Sequence, residues 1–383
     1  MREKADAGLY IHVPFCVKKC PYCDFFSSTD LSGMGEFSRA LIREMETRRN
    51  PARFDTLYIG GGTPSLLKPA FLEAVRDSVF KIFRMDPDAE ITMEINPGTV
   101  DFERLTFFKS LGVNRLSVGV QSFSDDILKF LGRIHTAADA EKTIEWARAA
   151  GFENISLDLI YGIPGQTPAG WLQTLEHAAK REPSHLSCYT LTYEAGTKME
   201  ARRQKGVFRP LSEKIVTRMC KTGVRRLERL GFSRYEISSF SRPGRMSRHN
   251  IKYWSGAPYV GLGPSAHSYA GGERSWNPKS LGRYLRDLRQ GRAPAAGKER
   301  LTQAQKMTEF FYLALRQSRG IDVHAFKRRF RLDFYPSFKR PVSLLIENGL
   351  ARKGKDRFAL TLDGALLLDS AAGLFVEEAE KFD

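Results

Sequence analysis

Three of the five cysteines of this sequence lie within eight positions, in the stretch CVKKCPYC. Cys16, Cys20 and Cys23 have the spacing C-x3-C-x2-C. Three thiolates on one short loop can bind three irons of a cubane [4Fe–4S] cluster and leave the fourth iron open. An open iron can bind a small chelating ligand, and the amino and carboxylate groups of S-adenosylmethionine form such a chelate. The spacing therefore predicts a cluster site with an exchangeable ligand.

A structural zinc site is the alternative interpretation of the same loop. Structural zinc often has Cys3His ligation, and His12 is the obvious fourth ligand here. Zinc ligands usually form two separated pairs, whereas these cysteines share one loop. His12 also lies on a predicted strand that points its side chain away from the loop. The cluster is therefore favoured, and Cys188 and Cys220, in an apolar strand and a helix, are interpreted as ordinary buried cysteines.

Composition sets wide limits on what the 383 residues can be. With 42% hydrophobic residues the chain can bury a substantial core, which excludes a disordered protein. The start MREKADAGLYIHVPF resembles neither a signal peptide nor an anchor, so a cytoplasmic location is expected. That compartment is reducing, which favours metal binding or catalysis over disulfides for clustered cysteines. The net charge of +16 would attract anions such as nucleic acid, acidic lipid headgroups or a polycarboxylate ligand.

The cysteine loop follows the first of six predicted strands, and helical patterns separate these strands. The strands are predicted at 8–13, 55–60, 90–96, 115–120, 154–161 and 184–192, and the helices at 36–49, 69–83, 102–112, 137–151 and 169–181. Gly112 and Gly151 stand where two of these helices would end. Six βα units at roughly 30-residue spacing indicate a parallel sheet with helices packed outside it.

The predicted fold is therefore α/β, a partial parallel (β/α)6 TIM-like barrel with a C-terminal helical, winged-helix-like domain. Residues 1–196 would form the barrel, and residues 197–298 a less regular extension and linker with an amphipathic helix at 212–231. Residues 299–383 contain three helical stretches and a hairpin that turns at 354–356, which is typical of a winged helix. Binding residues of such a barrel lie at the carboxyl ends of its strands.

With these motifs the sequence resembles the radical S-adenosylmethionine superfamily. More narrowly, it resembles the branch that contains oxygen-independent coproporphyrinogen III oxidase and the HemW-type heme chaperones. The resemblance covers nearly the whole chain and rests on YIHVPFCVKKCPYC, YIGGGTPSLL, EINPGTV, RLSVGVQSF, LGRIH, DLIYGIPGQT and the C-terminal helical unit. It implies a [4Fe–4S] cluster, a bound S-adenosylmethionine, and reductive cleavage of a carbon–sulfur bond that yields methionine and a 5′-deoxyadenosyl radical.

The resemblance also assigns contacts with S-adenosylmethionine to particular residues. They are Tyr10, Tyr22, Gly61, Gly62, Thr63, Glu94, Gln121, Arg133 and Asp158. The glycines would let the backbone approach the amino group of the ligand, since an ordinary βα turn needs fewer than three glycines in a row. For the two tyrosines, simple aromatic packing beside the cluster is an open alternative.

Some of these assignments have independent physical support. Glu94 is a carboxylate within the apolar strand EITMEIN, where an unpaired charge is costly. We therefore expect Glu94 to face the lumen and bind a cationic or hydroxyl-bearing group. Gln121 and Asp158 lie at or near strand ends, as expected for residues that bind ligands in a barrel. Arg133 lies between helical segments, and its context alone indicates a surface residue.

Phe25 stands where the oxidase resemblance expects the fourth cysteine of a C-x3-C-x2-C-x-C motif. The stretch CPYCDF instead resembles the pattern of the HemW-type chaperones. The oxidases also carry a longer N-terminal arm, whereas here the cluster motif begins at Cys16. Both differences favour a heme chaperone, which passes heme to an acceptor protein, over oxidative decarboxylation of coproporphyrinogen III.

A heme site is predicted at RHNIKYW (248–254), which matches the HNxxYW motif of the heme chaperones. His249 could supply an imidazole to the heme iron, and Tyr253 and Trp254 could stack on the macrocycle. The alternative is a surface loop whose aromatic side chains pack on the rim of the barrel. The motif match favours heme binding.

The resemblance also indicates partners beyond the cofactors. They are heme, a heme-acceptor protein that could be membrane-associated, and an electron donor such as flavodoxin or ferredoxin. A peripheral position at the membrane is left open beside the cytoplasmic one. The C-terminal unit raises a different alternative, a nucleic-acid-binding winged helix with the basic stretch FKRRFR. Pro341 within the would-be recognition helix, and the scarcity of side chains suited to reading bases, argue against nucleic acid.

Overall fold

A twelve-stranded sheet forms the main body of the protein in the computed structural model, which describes residues 6–382. Its central strands are β1 (Ala7–Val13), β2 (Arg53–Gly61), β3 (Arg84–Ile95), β4 (Arg115–Gln121), β5 (Asn154–Tyr161) and β6 (His185–Thr190). They neighbour one another in chain order and are all parallel. The predicted partial parallel barrel is confirmed.

Helical crossovers join these strands, as parallel pairing requires. The helices are α1 (Met34–Thr47), α2 (Pro69–Ile82), α3 (Phe102–Ser110), α4 (Asp125–Phe130), α5 (Ala137–Ala149) and α6 (Pro168–Lys180). Their apolar sides pack on the sheet in one continuous core that includes Phe108 and Trp171. Gly112 and Gly151 follow α3 and α5 with φ angles of 89° and 83°, a region that glycine adopts without strain. The short α4 was not predicted.

The chain after β6 extends the sheet at both edges. Its elements are α7 (Lys198–Gln204), α8 (Glu213–Arg229), β7 (Ser233–Arg234), β8 (Ser239–Ser241), α9 (Arg248–Ser255), β9 (Tyr259–Leu262), β10 (His267–Ala270), β11 (Glu273–Trp276), α10 (Leu281–Arg289) and β12 (Gly297–Arg300). Strand β8 pairs antiparallel with β6, whereas β9 pairs parallel with β1. The connection between them therefore crosses from one edge of the parallel region to the other, and it contains α9.

A second hydrophobic core is built from residues between Met307 and Ala379. Its elements are α11 (Gln303–Arg316), β13 (Ile321–Asp322), α12 (Val323–Phe330), α13 (Phe334–Ser337), α14 (Lys339–Glu347), β14 (Ala351–Lys353), β15 (Arg357–Leu360), α15 (Leu362–Leu366) and α16 (Leu368–Ala379). The hairpin turns at 354–356, as predicted. The predicted helical stretch YPSFKRPVSLLIENG (335–349) instead contains two helices, α13 and α14, which meet at Phe338, and α15 and α16 were not predicted.

Pro341 is the third residue of α14, and the first turn of a helix tolerates proline because its N–H groups have no partner within the helix. The predicted boundary near residue 299 falls between the two cores, and the division into domains stays a prediction. Across the described part of the chain, no helix combines the length and the apolar character needed to cross a membrane.

Candidate functional site

Alternate side chains of the parallel strands point into the lumen of the barrel, because successive residues of a strand face opposite sides. On β4 these are Arg115, Ser117, Gly119 and Gln121, which all line one cavity of ≈ 710 Å³. Residues 16–23, which we call the thiol loop, all line its mouth at the carboxyl ends of the strands except Pro21. The volume lies within the usual range of ligand and cofactor pockets.

The structure brings most of the predicted binding residues to this cavity. Those that line it are Cys16, Cys20, Cys23, Tyr22, Gly61, Gly62, Thr63, Glu94, Gln121, Arg133 and Asp158. Those that lie elsewhere are Tyr10, His249, Tyr253 and Trp254. The contacts of each residue with a ligand stay predictions.

Backbone contacts hold the thiol loop in place. The Cys16 N–H donates to the Ser28 carbonyl at 3.0 Å, and the Met199 N–H donates to the Pro21 carbonyl at 2.8 Å. The loop before α5 approaches from another side, since a Cβ on Gly132 would lie only 2.6 Å from Pro21 Cδ. The loop is therefore shaped by its neighbours on several sides.

Two polar side chains contact the sulfur atoms. Thr63 Oγ1 lies 3.6 Å from Cys16 Sγ, and Arg133 Nη1 lies 3.5 Å from Cys20 Sγ. Burial raises the pKa of the Cys23 thiol, and the two neighbouring thiols raise it further. Thiolates next to one another become favourable when bound metal neutralises their charge. Three free cysteines on one cavity wall, with a hydroxyl and a guanidinium aimed at sulfur, fit a thiolate-bound iron–sulfur cluster.

His12 makes its hydrogen bonds away from the thiols. Its Nε2 donates to the Phe26 carbonyl at 2.8 Å, which leaves Nδ1 to accept from the Tyr10 hydroxyl at 3.0 Å. Burial lowers the pKa of His12, consistent with a neutral ring. Both ring nitrogens are thus engaged, which disfavours His12 as a zinc ligand. Within residues 6–382, no three or more histidine, cysteine or acidic side chains are grouped to hold a single metal ion.

The glycine run at the end of β2 is needed for packing inside the protein. A Cβ on Gly61 would lie 2.5 Å from His12 Nδ1, and Gly61 has a φ angle of 106°. A Cβ on Gly62 would lie 2.5 Å from the Phe15 carbonyl oxygen. These glycines were predicted to let the backbone approach a ligand. The structure gives a second reason for them that requires no ligand, because β2 ends in close contact with β1.

Glu94 and Asp158 are acidic side chains of the lumen. The Tyr58 hydroxyl donates to Glu94 Oε1 at 2.7 Å, and the Gly61 N–H donates to Oε2 at 2.9 Å. The Ser117 hydroxyl donates to Asp158 Oδ2 at 2.9 Å. Burial raises the pKa of both carboxyl groups, that of Glu94 to about 7. Each carboxylate can therefore gain from a cationic or hydrogen-bond-donating ligand group.

Arg133 reaches the cavity from the loop between α4 and α5. It donates to the Gly119 carbonyl at 2.9 Å and to Asn96 Oδ1, and Asn96 Nδ2 donates to Thr63 Oγ1 at 3.1 Å. Its sequence context alone indicated a surface residue, and the structure shows that this indication was wrong. Gln121 ends β4 with a φ angle of 63°, a left-handed conformation that costs a non-glycine residue energy and is frequent at functional sites.

Sequence reasoning missed several residues that also line the cavity. They are Tyr58, Asn96, Arg115 and Ser117. The period of two along a strand was the available signal. Asn96 comes two positions after Glu94, and Ser117 and Arg115 precede Gln121 by even numbers of positions, so each pair faces the same side of the sheet.

The predicted heme ligand, His249, lies in α9 and is buried outside the cavity lining. Its Nδ1 lies 2.8 Å from Thr56 Oγ1, and its Nε2 lies 2.9 Å from the Tyr253 hydroxyl oxygen. Burial lowers the pKa of His249 to about 3, so the ring is neutral at physiological pH. In this conformation His249 is therefore not the free imidazole that was expected. Heme ligation by His249 stays a prediction.

Trp254 joins α9 to the C-terminal unit. The Arg316 guanidinium lies 4.3 Å from the centre of the Trp254 ring, and Gln317 Nε2 donates to the Trp254 carbonyl at 2.9 Å. Arg316 Nε also lies 2.9 Å from Oε2 of the buried Glu236. Of residues 248–254, all of them described, Asn250 alone lines the cavity.

Comparison with known proteins identifies relatives along the whole chain. The family described as the Radical SAM superfamily matches residues 10–178, and the HemN C-terminal domain matches residues 301–367. Heme chaperone HemW of Bacillus subtilis is 34% identical, over 96% of this chain and 99% of that protein. Heme chaperone HemW of Escherichia coli is 33% identical, over 97% of this chain and 98% of that protein.

A solved structure supports the fold. Coproporphyrinogen III oxidase (HemN) of Escherichia coli, described as a radical SAM enzyme, superposes with a TM-score of 0.84. The match covers 97% of this chain and 90% of that protein at 23% identity. Similarity at this level of identity establishes a shared fold.

Proposed function

The chain belongs to the HemW family within the radical S-adenosylmethionine superfamily, and from that premise we propose that it is a heme chaperone. The observation that carries the proposal is its similarity to proteins named heme chaperone HemW, which extends along nearly their full length. The chain would take up heme and pass it to an acceptor protein.

The cavity mouth suits the cofactors of the superfamily. Cys16, Cys20 and Cys23 would hold a [4Fe–4S] cluster, and the space beside them would hold S-adenosylmethionine. When bound, this pair supplies one-electron chemistry at the sulfonium group. The residues of the chain would orient and shield it: Arg133 donates toward sulfur, and Glu94 offers a carboxylate to a cationic group.

Heme ligation by His249 would need a local rearrangement. Both ring nitrogens bond within the protein, to Thr56 and to Tyr253, so neither can reach iron until one of these hydrogen bonds opens. A shift of α9 would release the ring. We therefore expect heme binding through His249 to be coupled to movement of this helix.

The test is an anaerobic titration of the cluster-reconstituted protein with heme. We expect a saturable shift of the Soret band, followed by loss of the shifted band when an apo-heme protein is added as acceptor. The substitution His249→Ala should weaken binding, while His324→Ala, at an exposed position of the C-terminal unit, should leave it unchanged. Conversion of coproporphyrinogen III to protoporphyrinogen IX by the same preparation would overturn the chaperone proposal in favour of the oxidase.

A further inference from the structure

Arg115 is a buried cation at the inner end of the cavity. It begins β4, so its Cα lies about 20 Å from that of Gln121 at the opposite end of the strand, given a rise of about 3.3 Å per residue. The side chain is 1% exposed and lines the cavity. Among the described residues, Arg115 Nε has no hydrogen-bond partner. A buried Nε–H group without an acceptor is costly, which points to an acceptor supplied from the cavity.

The acidic side chains of the lumen do not fill this role. Glu94 accepts from Tyr58 and Gly61, and Asp158 accepts from Ser117. Arg115 lowers the pKa of both carboxyl groups through space, without a hydrogen bond to either.

Two further polar side chains line the cavity together with Arg115. Asn250 comes from α9 and Ser238 from the segment before β8. Thr92, the register neighbour of Arg115 on β3, has a buried hydroxyl that is unpaired among the described residues, although it does not line the cavity. Polar side chains from three separate segments thus line one cavity, as expected at a ligand site.

We propose that Arg115, together with Asn250, forms a carboxylate-binding site at the inner end of the cavity. A guanidinium can bind a carboxylate through two parallel N–H···O bonds, and the amide group supplies a further donor. The cysteines lie at the other end, so this site receives a different group from the one that approaches the cluster. The natural ligand rests on the proposed function: heme carries two propionate groups, and one of them would occupy the site.

The first experiment uses propionate, whose binding requires neither heme nor a cluster. Propionate labelled with carbon-13 in its carboxyl group is titrated with the protein at fixed ionic strength, and its resonance is followed by NMR. We expect saturable broadening with propionate and none with the neutral isostere propionamide. Equal responses to the two probes, or no response to either, would overturn the site.

Variants then locate the binding. Asn250→Asp keeps the shape of the side chain but introduces a negative charge, and it should weaken propionate binding at least tenfold. Arg115→Lys keeps the charge but loses the two-pronged geometry, and it should also weaken binding. Asn348→Asp, at an exposed position of the C-terminal unit, is the matched control. Unchanged binding in both cavity variants would contradict the proposal, and Asn250→Asp decides alone if Arg115→Lys does not fold.

Heme and its dimethyl ester test the source of the carboxylate. We expect wild-type protein to bind the free acid at least tenfold more tightly than the ester, and Asn250→Asp to abolish this preference. Equal binding of acid and ester would overturn the assignment to a propionate group. If S-adenosylmethionine displaces labelled propionate and heme does not, the site binds the carboxylate of S-adenosylmethionine and the assignment to heme is overturned. If heme does not bind at all, the proposed function fails while the propionate titration still decides the site.

Discussion

The cavity mouth and helix α9 contain the two motifs from which ligand binding was predicted, and they differ in where their polar atoms are directed. At the mouth, the three thiols line open space, and two of them contact the side chains of Thr63 and Arg133. In α9, His249 bonds to two hydroxyl groups of the protein, and Trp254 packs against Arg316. Side chains that satisfy one another stabilise the fold, whereas side chains with unused capacity facing a cavity bind ligands.

The largest expected effect is at the mouth. Cys23→Ser should abolish the visible absorbance of an iron–sulfur cluster after anaerobic reconstitution, because one of three protein ligands is lost. The matched control is Cys220→Ser in α8, which should keep the cluster. Iron and sulfide analysis with the visible spectrum measures both. A full cluster in Cys23→Ser would remove the basis for treating the mouth as the binding region.

The next effect tests whether α9 is a structural element. His249→Ala should lower the free energy of unfolding by about 3–4 kcal/mol, because it leaves a void and removes the partner of two buried hydroxyl groups, those of Thr56 and Tyr253. Thermal or urea unfolding measures the change. A variant as stable as wild type would show that the α9 network contributes little to stability, and the contrast between the two regions would disappear.

Glu94 resembles both regions, because it accepts hydrogen bonds within the protein and also lines the cavity. The pH dependence of stability tests how its carboxyl group is held. Its pKa rises from an ordinary 4.5 to about 7 on folding, so the folded state binds more protons than the unfolded state between these values. The stability contributed by this group is therefore lost as pH rises from about 4.5 to 7, by about 3 kcal/mol, and stays constant above pH 7. Glu94→Gln should match wild type near pH 5 and unfold at a higher temperature at pH 8. If Glu94→Gln unfolds at pH 8 at the same temperature as wild type or at a lower one, the raised pKa of Glu94 is contradicted.

The smallest effect is expected at Phe25, although it lines the mouth. Its side chain is 68% exposed, so Phe25→Ser should change the free energy of unfolding by less than about 0.5 kcal/mol. Cluster content after reconstitution should also be unchanged, because this position supplies no ligand to the cluster in our proposal. Loss of iron in Phe25→Ser would show that an apolar side chain at the rim is needed to retain the cluster.

Local patterns in the sequence predicted the parallel strands and most outer helices, because these depend on neighbours a few positions away. The site depends on distant pairs. His249 meets Thr56 across 193 residues, and Arg133 meets Cys20 across 113 residues. No periodicity encodes such contacts, so Arg133 looked like a surface residue and His249 like a free ligand. Arg115 was missed although it shares a strand face with Gln121, because an arginine that begins a strand usually lies at the surface.

The backbone contacts of the thiol loop have a consequence for cluster insertion. Pro21 lies close to Gly132 and accepts a hydrogen bond from the Met199 N–H, and neither contact involves sulfur. Small zinc domains acquire their shape only when the metal binds. Here contacts with distant segments of the chain contribute to the shape of the loop, so we expect cluster insertion to depend on these neighbours as well as on the three cysteines.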